Sequence, residues 1–178
     1  MRKRQPLPAG QFLSKMKSNL LKRKQNRGSD NLATPKEAVD YLLPYLNEGA
    51  YIWECACGDG DIASVLLDKG FVVSSTDTLP ETEIRGQIDF LSFEWQVDED
   101  GMRPPPHYDY IITNPPFSLK TKFLEKAYKL GTPFAFLLPI TALEGKKRQE
   151  LFRKNELEII FLPKRIDFTG KKAPWFAV

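Results

Sequence analysis

The stretch Tyr108-Asp109-Tyr110-Ile111-Ile112-Thr113-Asn114-Pro115-Pro116-Phe117 constrains this chain more than any other. Its first half is a β-branched and aromatic run of strand length. Its second half cannot continue a strand, because successive prolines offer no N–H to a ladder. The sequence therefore predicts a buried strand that ends in a rigid polar elbow. Proline fixes φ at about −65°, so the Asn114 side-chain amide and the Pro115 carbonyl can both be held as acceptors facing one point beyond the strand's carboxyl end. Two aimed acceptors suit an NH₂ group. Phe117 follows at once, and its ring offers a face on which a planar base bearing an exocyclic amine would stack. Taken alone, Asn-Pro-Pro is also an ordinary turn, and the rest of the chain has to decide between the two.

Upstream, Tyr51-Ile52-Trp53-Glu54 reads as a short strand. The loop Cys55-Ala56-Cys57-Gly58-Asp59-Gly60 follows, and residues 61–68 carry a helical pattern stopped by Lys69-Gly70. Strand, glycine loop and helix form the first unit of a nucleotide-binding fold, with Ala63 where a third glycine would stand. A second strand over residues 71–76 ends in Asp77, 17 residues beyond Gly60 and near the roughly 20 expected for a carboxylate that grips ribose hydroxyls. Glu54, Asp59 and Asp61 would repel a pyrophosphate, so the loop suits a cationic nucleoside better.

Together, Glu54-Cys-Ala-Cys-Gly-Asp-Gly and Asn114-Pro-Pro-Phe resemble the class I S-adenosylmethionine (SAM) dependent amino-methyltransferases, and among them the small phage-type DNA N6-adenine methyltransferases. The resemblance covers about residues 33–178. It implies that SAM is the cofactor and that Thr34, Pro35, Glu54, Ala56, Gly58, Gly60, Asp77, Asp89, Phe90 and Asn114 contact it. The catalytic elbow would be Asn114, Pro115, Pro116 and Phe117, with Phe117 and Phe168 on either side of the target base. RNA adenine methyltransferases share these motifs, protein glutamine N5-methyltransferases carry a similar Asn-Pro-Pro-aromatic elbow, and a non-catalytic nucleic-acid-binding module is the alternative from another class.

The remaining segments alternate in the same way. Thr34-Pro35-Lys36-Glu37 reads as a capping box opening a helix that Pro44 should shorten. Residues 120–130 predict a helix ended by Gly131, residues 132–139 a central parallel strand, residues 142–154 a basic helix, and residues 157–162 another strand. The expected fold is α/β, a doubly wound, Rossmann-like and mostly parallel sheet of the class I methyltransferase type. Its last antiparallel strand, opening at Ala173-Pro174-Trp175-Phe176-Ala177-Val178, would be either truncated or unusually compact.

Charge divides the chain into a basic arm, residues 1–30, and a domain, residues 31–178. The arm holds nine Lys or Arg and one acid, a net of +8, and the remainder sums to −5. Such an arm, partly helical over residues 11–24, fits sequence-independent contact with nucleic-acid phosphates, alongside contacts from the pocket rim. No segment is long enough for a separate recognition domain, so specificity would be low or supplied by a protein partner. No apolar run approaches the roughly 18 residues that span a bilayer, and a soluble protein of the phage or bacterial host cytosol is expected. Cys55 and Cys57 lack a second ligand pair for a metal and read as small apolar thiols, and His107 reads as a surface residue.

Overall fold

The computed structural model describes residues 33–82, 85–96, 107–164, 166 and 168. The basic arm and the closing segment 173–178 lie outside the described residues.

Five strands form one sheet: β1 (Tyr51–Glu54), β2 (Val72–Asp77), β3 (Gly86–Gln87), β4 (Tyr110–Thr113) and β5 (Phe134–Phe136), in the spatial order β3-β2-β1-β4-β5. Every pairing is parallel, with Ile52 opposite Tyr110, Trp53 opposite Ile111 and Ile111 opposite Phe134. Parallel neighbours need crossovers, and among the described residues the helices are α1 (Lys36–Asp40), α2 (Asp61–Asp68), α3 (Lys120–Leu130) and α4 (Lys146–Lys154), the last packing on α3. The order reverses between β1 and β4, the switch point at which a doubly wound sheet leaves a crevice beyond its strand ends.

Strand alternation divides the core. Ile52 and Ile112 point to one face, where they meet Val39 from α1 and Ile62, Val65 and Leu66 from α2. Trp53 and Ile111 point to the other, where Phe90 and the α3 residues Phe123, Ala127 and Leu130 cover them. Burying both faces explains why these central strands are apolar at consecutive positions. The Trp53 indole N–H donates to Thr76 Oγ1 at 2.8 Å, so its polar edge is satisfied inside the core.

Several sequence expectations need correction. Thr34 does not cap α1: Pro35 occupies the N-cap without a side-chain bond, and Glu37 pairs with Lys164 at 2.6 Å. Pro44 lies in a 3-10 turn, Leu43–Tyr45, that follows the shortened α1. Strand β5 is an edge among the described residues rather than a central strand, and its three residues are only half-buried. Residues 157–162 form no strand, and Leu157, Ile159 and Phe161 are exposed. Their β-forming side chains have no neighbouring strand among the described residues, and propensity without a paired surface does not make a strand. The basic helix begins at Lys146, after a separate 3-10 turn, Ile140–Leu143. Helix α3 ends as expected, with Gly131 at φ 67°.

Candidate active site

A cleft opens beyond the carboxyl ends of β1 to β4. Cys55, Ala56 and Gly58 line it from the β1 loop, and Asp77, Thr78 and Leu79 from the end of β2. Asp89, Phe90 and Leu91 follow β3, while Asn114, Pro116 and Phe117 follow β4, with Leu119 and Phe123 behind them.

The glycine loop is locked from two directions. Gly58 and Gly60 have φ of 51° and 81°, a left-handed backbone that side-chain-bearing residues seldom adopt. Asp77 Oδ2 accepts the Gly58 N–H at 2.8 Å, and Arg85 Nη1 donates to the Gly58 carbonyl at 2.6 Å. Asp77 Oδ1 accepts from the Leu79 N–H at 3.0 Å and from Thr78 Oγ1 at 3.4 Å. A carboxylate has about four acceptor directions, so Oδ2 keeps room for one further donor from the cleft.

Glu54 is buried behind the loop and its Oε2 accepts the Ala63 N–H at 2.8 Å, tying β1 to the first turn of α2. Burial pushes its carboxyl well above the usual range, offset in part by the Ala63 N–H and reinforced by Asp61 and Asp77. Burial likewise raises the Cys55 and Cys57 thiols, with Glu54 adding to it, so both stay protonated and poorly reactive. Asp89 Oδ1 accepts the Leu91 N–H at 2.9 Å in a tight turn that presents Phe90, whose ring stacks on Phe123 at 5.0 Å.

At the elbow, Pro115 is fully buried, Pro116 turns the chain with ψ 124°, and Phe117 opens a 3-10 turn, Phe117–Leu119, that leads into α3. Asn114 Nδ2 donates to Thr34 Oγ1 at 3.1 Å. Its Oδ1 is buried and has no hydrogen-bond partner. A buried amide oxygen left unpaired costs free energy, on the order of 1–3 kcal/mol, so this oxygen calls for a partner such as a water, an ion or a ligand donor.

Of the residues singled out from sequence, Ala56, Gly58, Asp77, Asp89, Phe90, Asn114, Pro116 and Phe117 line one cleft. Glu54, Gly60, Thr34, Pro35 and Pro115 are not among the lining residues. Phe168 is buried with Ala38 and Ile166 in a separate small cluster and does not line the cleft. Arg85 was not legible: it is 5% exposed, yet a lone Arg in Glu-Ile-Arg-Gly carries no periodic signal. Among the described residues no cluster of ligating side chains suits a metal, and no helix is long and apolar enough to cross a membrane.

No protein-family model matches this chain, and no curated protein matches it. Among solved structures it is similar to a protein described as a methyltransferase of an antibiotic biosynthesis pathway in Anabaena variabilis, at 11% identity and TM-score 0.45, covering 66% of this chain. The chain spans about half of that protein's length, 51%. It is also similar to a TehB-like SAM-dependent methyltransferase from Corynebacterium glutamicum, at 15% identity and TM-score 0.45, covering 81% of this chain and 80% of that one. A third is the 1,6-didemethyltoxoflavin-N1-methyltransferase of Burkholderia thailandensis, at 14% identity and TM-score 0.42, covering 78% of this chain and 67% of that one. The fold class itself rests on the parallel sheet and its strand order.

Proposed function

We propose that this chain is a SAM-dependent methyltransferase that modifies the exocyclic N6 amine of adenine in DNA. The observation that carries this reading is the unpartnered, buried Oδ1 of Asn114, a residue that lines the cleft beyond the β1–β4 switch point. It is the acceptor that an amine substrate would supply with a proton.

The cleft's donor set fits the cofactor. Asp77 Oδ2 has room for a ribose hydroxyl, Asp89 and Phe90 offer a polar edge and an apolar wall for an adenine, and the acids favour a cationic ligand. Bound SAM supplies an electrophilic methyl group. Glu54 ties β1 to the first turn of α2, and Thr34 bonds to Asp61 and Asn114.

The chain's own part in the chemistry is positioning and charge stabilisation. An aromatic exocyclic amine is a weak nucleophile because its lone pair is delocalised into the ring. Asn114 Oδ1 accepts one of its N–H groups, favours a pyramidal nitrogen, and stabilises the positive charge that develops there. No strong general base is needed, since the proton shed afterwards passes to solvent. Phe117 stacks on a base flipped out of the duplex or taken from a single strand. The +8 arm anchors the phosphates, and specificity is low or supplied by a protein partner.

Mass spectrometry of nucleosides after incubation with SAM and DNA or RNA tests the reading. N6-methyladenine from DNA supports it. Thermal stabilisation by SAM without methyladenine from either polymer overturns the catalytic assignment, and no stabilisation by SAM overturns the cofactor.

A further inference from the structure

Resting on that reading of the elbow, we infer that Thr34 is a positioning residue that sets which end of the Asn114 amide faces the amine. A side-chain amide has one accepting end and one donating end of nearly equal shape, so an Asn at this position can serve or block an incoming NH₂ group depending on a half-turn about χ2. Pro115 and Pro116 stiffen the backbone but leave that torsion free. Thr34 restrains it: its Oγ1, in a residue only 8% exposed, accepts the Nδ2 N–H at 3.1 Å across 80 residues of sequence. With the donor end engaged there, Oδ1 is the end left without a partner at the cleft.

Thr34 is itself fixed. Its backbone N–H donates to Asp61 Oδ2 at 3.1 Å, and Asp61 opens α2 directly after the Gly58–Gly60 loop. Docking of the segment before α1 on the first turn of α2 therefore positions the hydroxyl, and the hydroxyl positions the amide. Thr34 thus joins the start of α2 to the elbow, beside the direct bond from Thr113 Oγ1 to the Ala56 carbonyl at 3.4 Å. This also gives a physical reason for a Thr-Pro pair that supplies no cap to the helix it precedes.

The test uses the full chain and the substitutions Thr34→Val, which keeps shape and removes the acceptor, and Thr34→Ser, which keeps the acceptor. With SAM saturating and adenine-containing DNA as substrate, Thr34→Val lowers kcat about tenfold, the size of one neutral hydrogen bond, with KM for DNA and the SAM-induced melting shift within about twofold of wild type. Thr34→Ser restores kcat to within about threefold. In an Asn114→Ala background Thr34→Val has no further effect, as expected for two residues acting as one unit.

NMR of the Asn114 side-chain amide reads the contact without any turnover. One Nδ2 proton is protected from exchange in wild type and Thr34→Ser and loses that protection in Thr34→Val. An unchanged amide signal in Thr34→Val, or a Thr34→Ser kcat as low as that of Thr34→Val, overturns the inference. Absence of methylation in wild type with the amide signals behaving as described would instead overturn the proposed reaction and leave the contact standing.

Discussion

Arg85 donates to the carbonyl of Gly58 at 2.6 Å from a position almost wholly inside the protein, holding the cofactor-side loop from below as Asp77 holds it from beyond β2. A second bond, from Nε to the Pro80 carbonyl at 3.3 Å, ties the same guanidinium to the turn after β2. One side chain thus braces two of the four strand-end segments that line this cleft.

Replacing Arg85 with Ala leaves those carbonyls without their donor, a loss of about 1.5–3 kcal/mol for a charge-assisted bond. Arg85→Ala lowers the melting temperature and weakens SAM binding by tenfold or more in calorimetry. Unchanged SAM affinity in a folded Arg85→Ala protein would show that the loop keeps its shape without the brace.

Asp77 has one acceptor direction left on Oδ2 after its bonds to Gly58, Thr78 and Leu79. Asp77→Ala therefore abolishes most of the thermal stabilisation given by SAM, since a charged ribose contact contributes about 1.5–3 kcal/mol, tenfold or more in affinity. NAD stabilises the wild type much less than SAM. Equal shifts from the two ligands would sink the assignment of this carboxylate to SAM.

Asn114→Ala removes the acceptor that matters only as the amine becomes nucleophilic. Methyl transfer falls on the order of 10²–10³ in kcat, with SAM affinity nearly intact. Phe117→Ala instead impairs capture of the base, and Phe117→Tyr or Phe117→Trp retains part of it because stacking needs only a π-face. Single-turnover methylation beside SAM binding separates these outcomes; a wild-type rate in Asn114→Ala reduces the elbow to a turn.

Glu54 gives stability a pH dependence of predictable sign. Its carboxyl lies well above the ordinary 4.5 when folded, chiefly through burial. A folded state that binds this proton more tightly than the unfolded chain loses stability as pH rises from about 4.5 toward the native value, and holds the full benefit below that range. Glu54→Gln keeps an acceptor for the Ala63 N–H and removes the titration. Urea midpoints for the two proteins, measured from about pH 4 to about pH 8, should diverge in favour of Glu54→Gln as pH rises. A constant gap would show that Glu54 titrates alike in both states.

The legible parts of this molecule are those where local sequence and tertiary demand agree. Tyr110–Thr113 is apolar at consecutive positions because both of its faces are buried, and Pro115-Pro116 ends it where the cleft begins. Helix α3 runs to Gly131 because that residue takes the left-handed conformation of a helix stop. Thr34 was misread because its hydroxyl looks the same in sequence whether it caps the next turn or meets Asn114 across the fold. Residues 157–162 look like a strand locally, but strand formation is decided by a neighbour that no local pattern encodes. Phe168 shows the same limit from the other side: an aromatic near the end of the described chain reads as a stacking partner, and the fold spends it on packing with Ala38 and Ile166.

The seam where Ile52 faces Tyr110 and Trp53 faces Ile111 has a consequence for descent. On its β1 side the strand ends carry Gly58, Asp77 and Asp89; on its β4 side they carry Asn114, Pro116 and Phe117. If the first group holds the cofactor and the second the substrate, substitutions in the second would retune what is accepted without touching the first. The two lineages of residues are not fully independent, because Thr34 lies before the seam and bonds to Asn114 beyond it. Recombination that exchanged the β4 half for that of a relative would have to bring a partner for that amide with it.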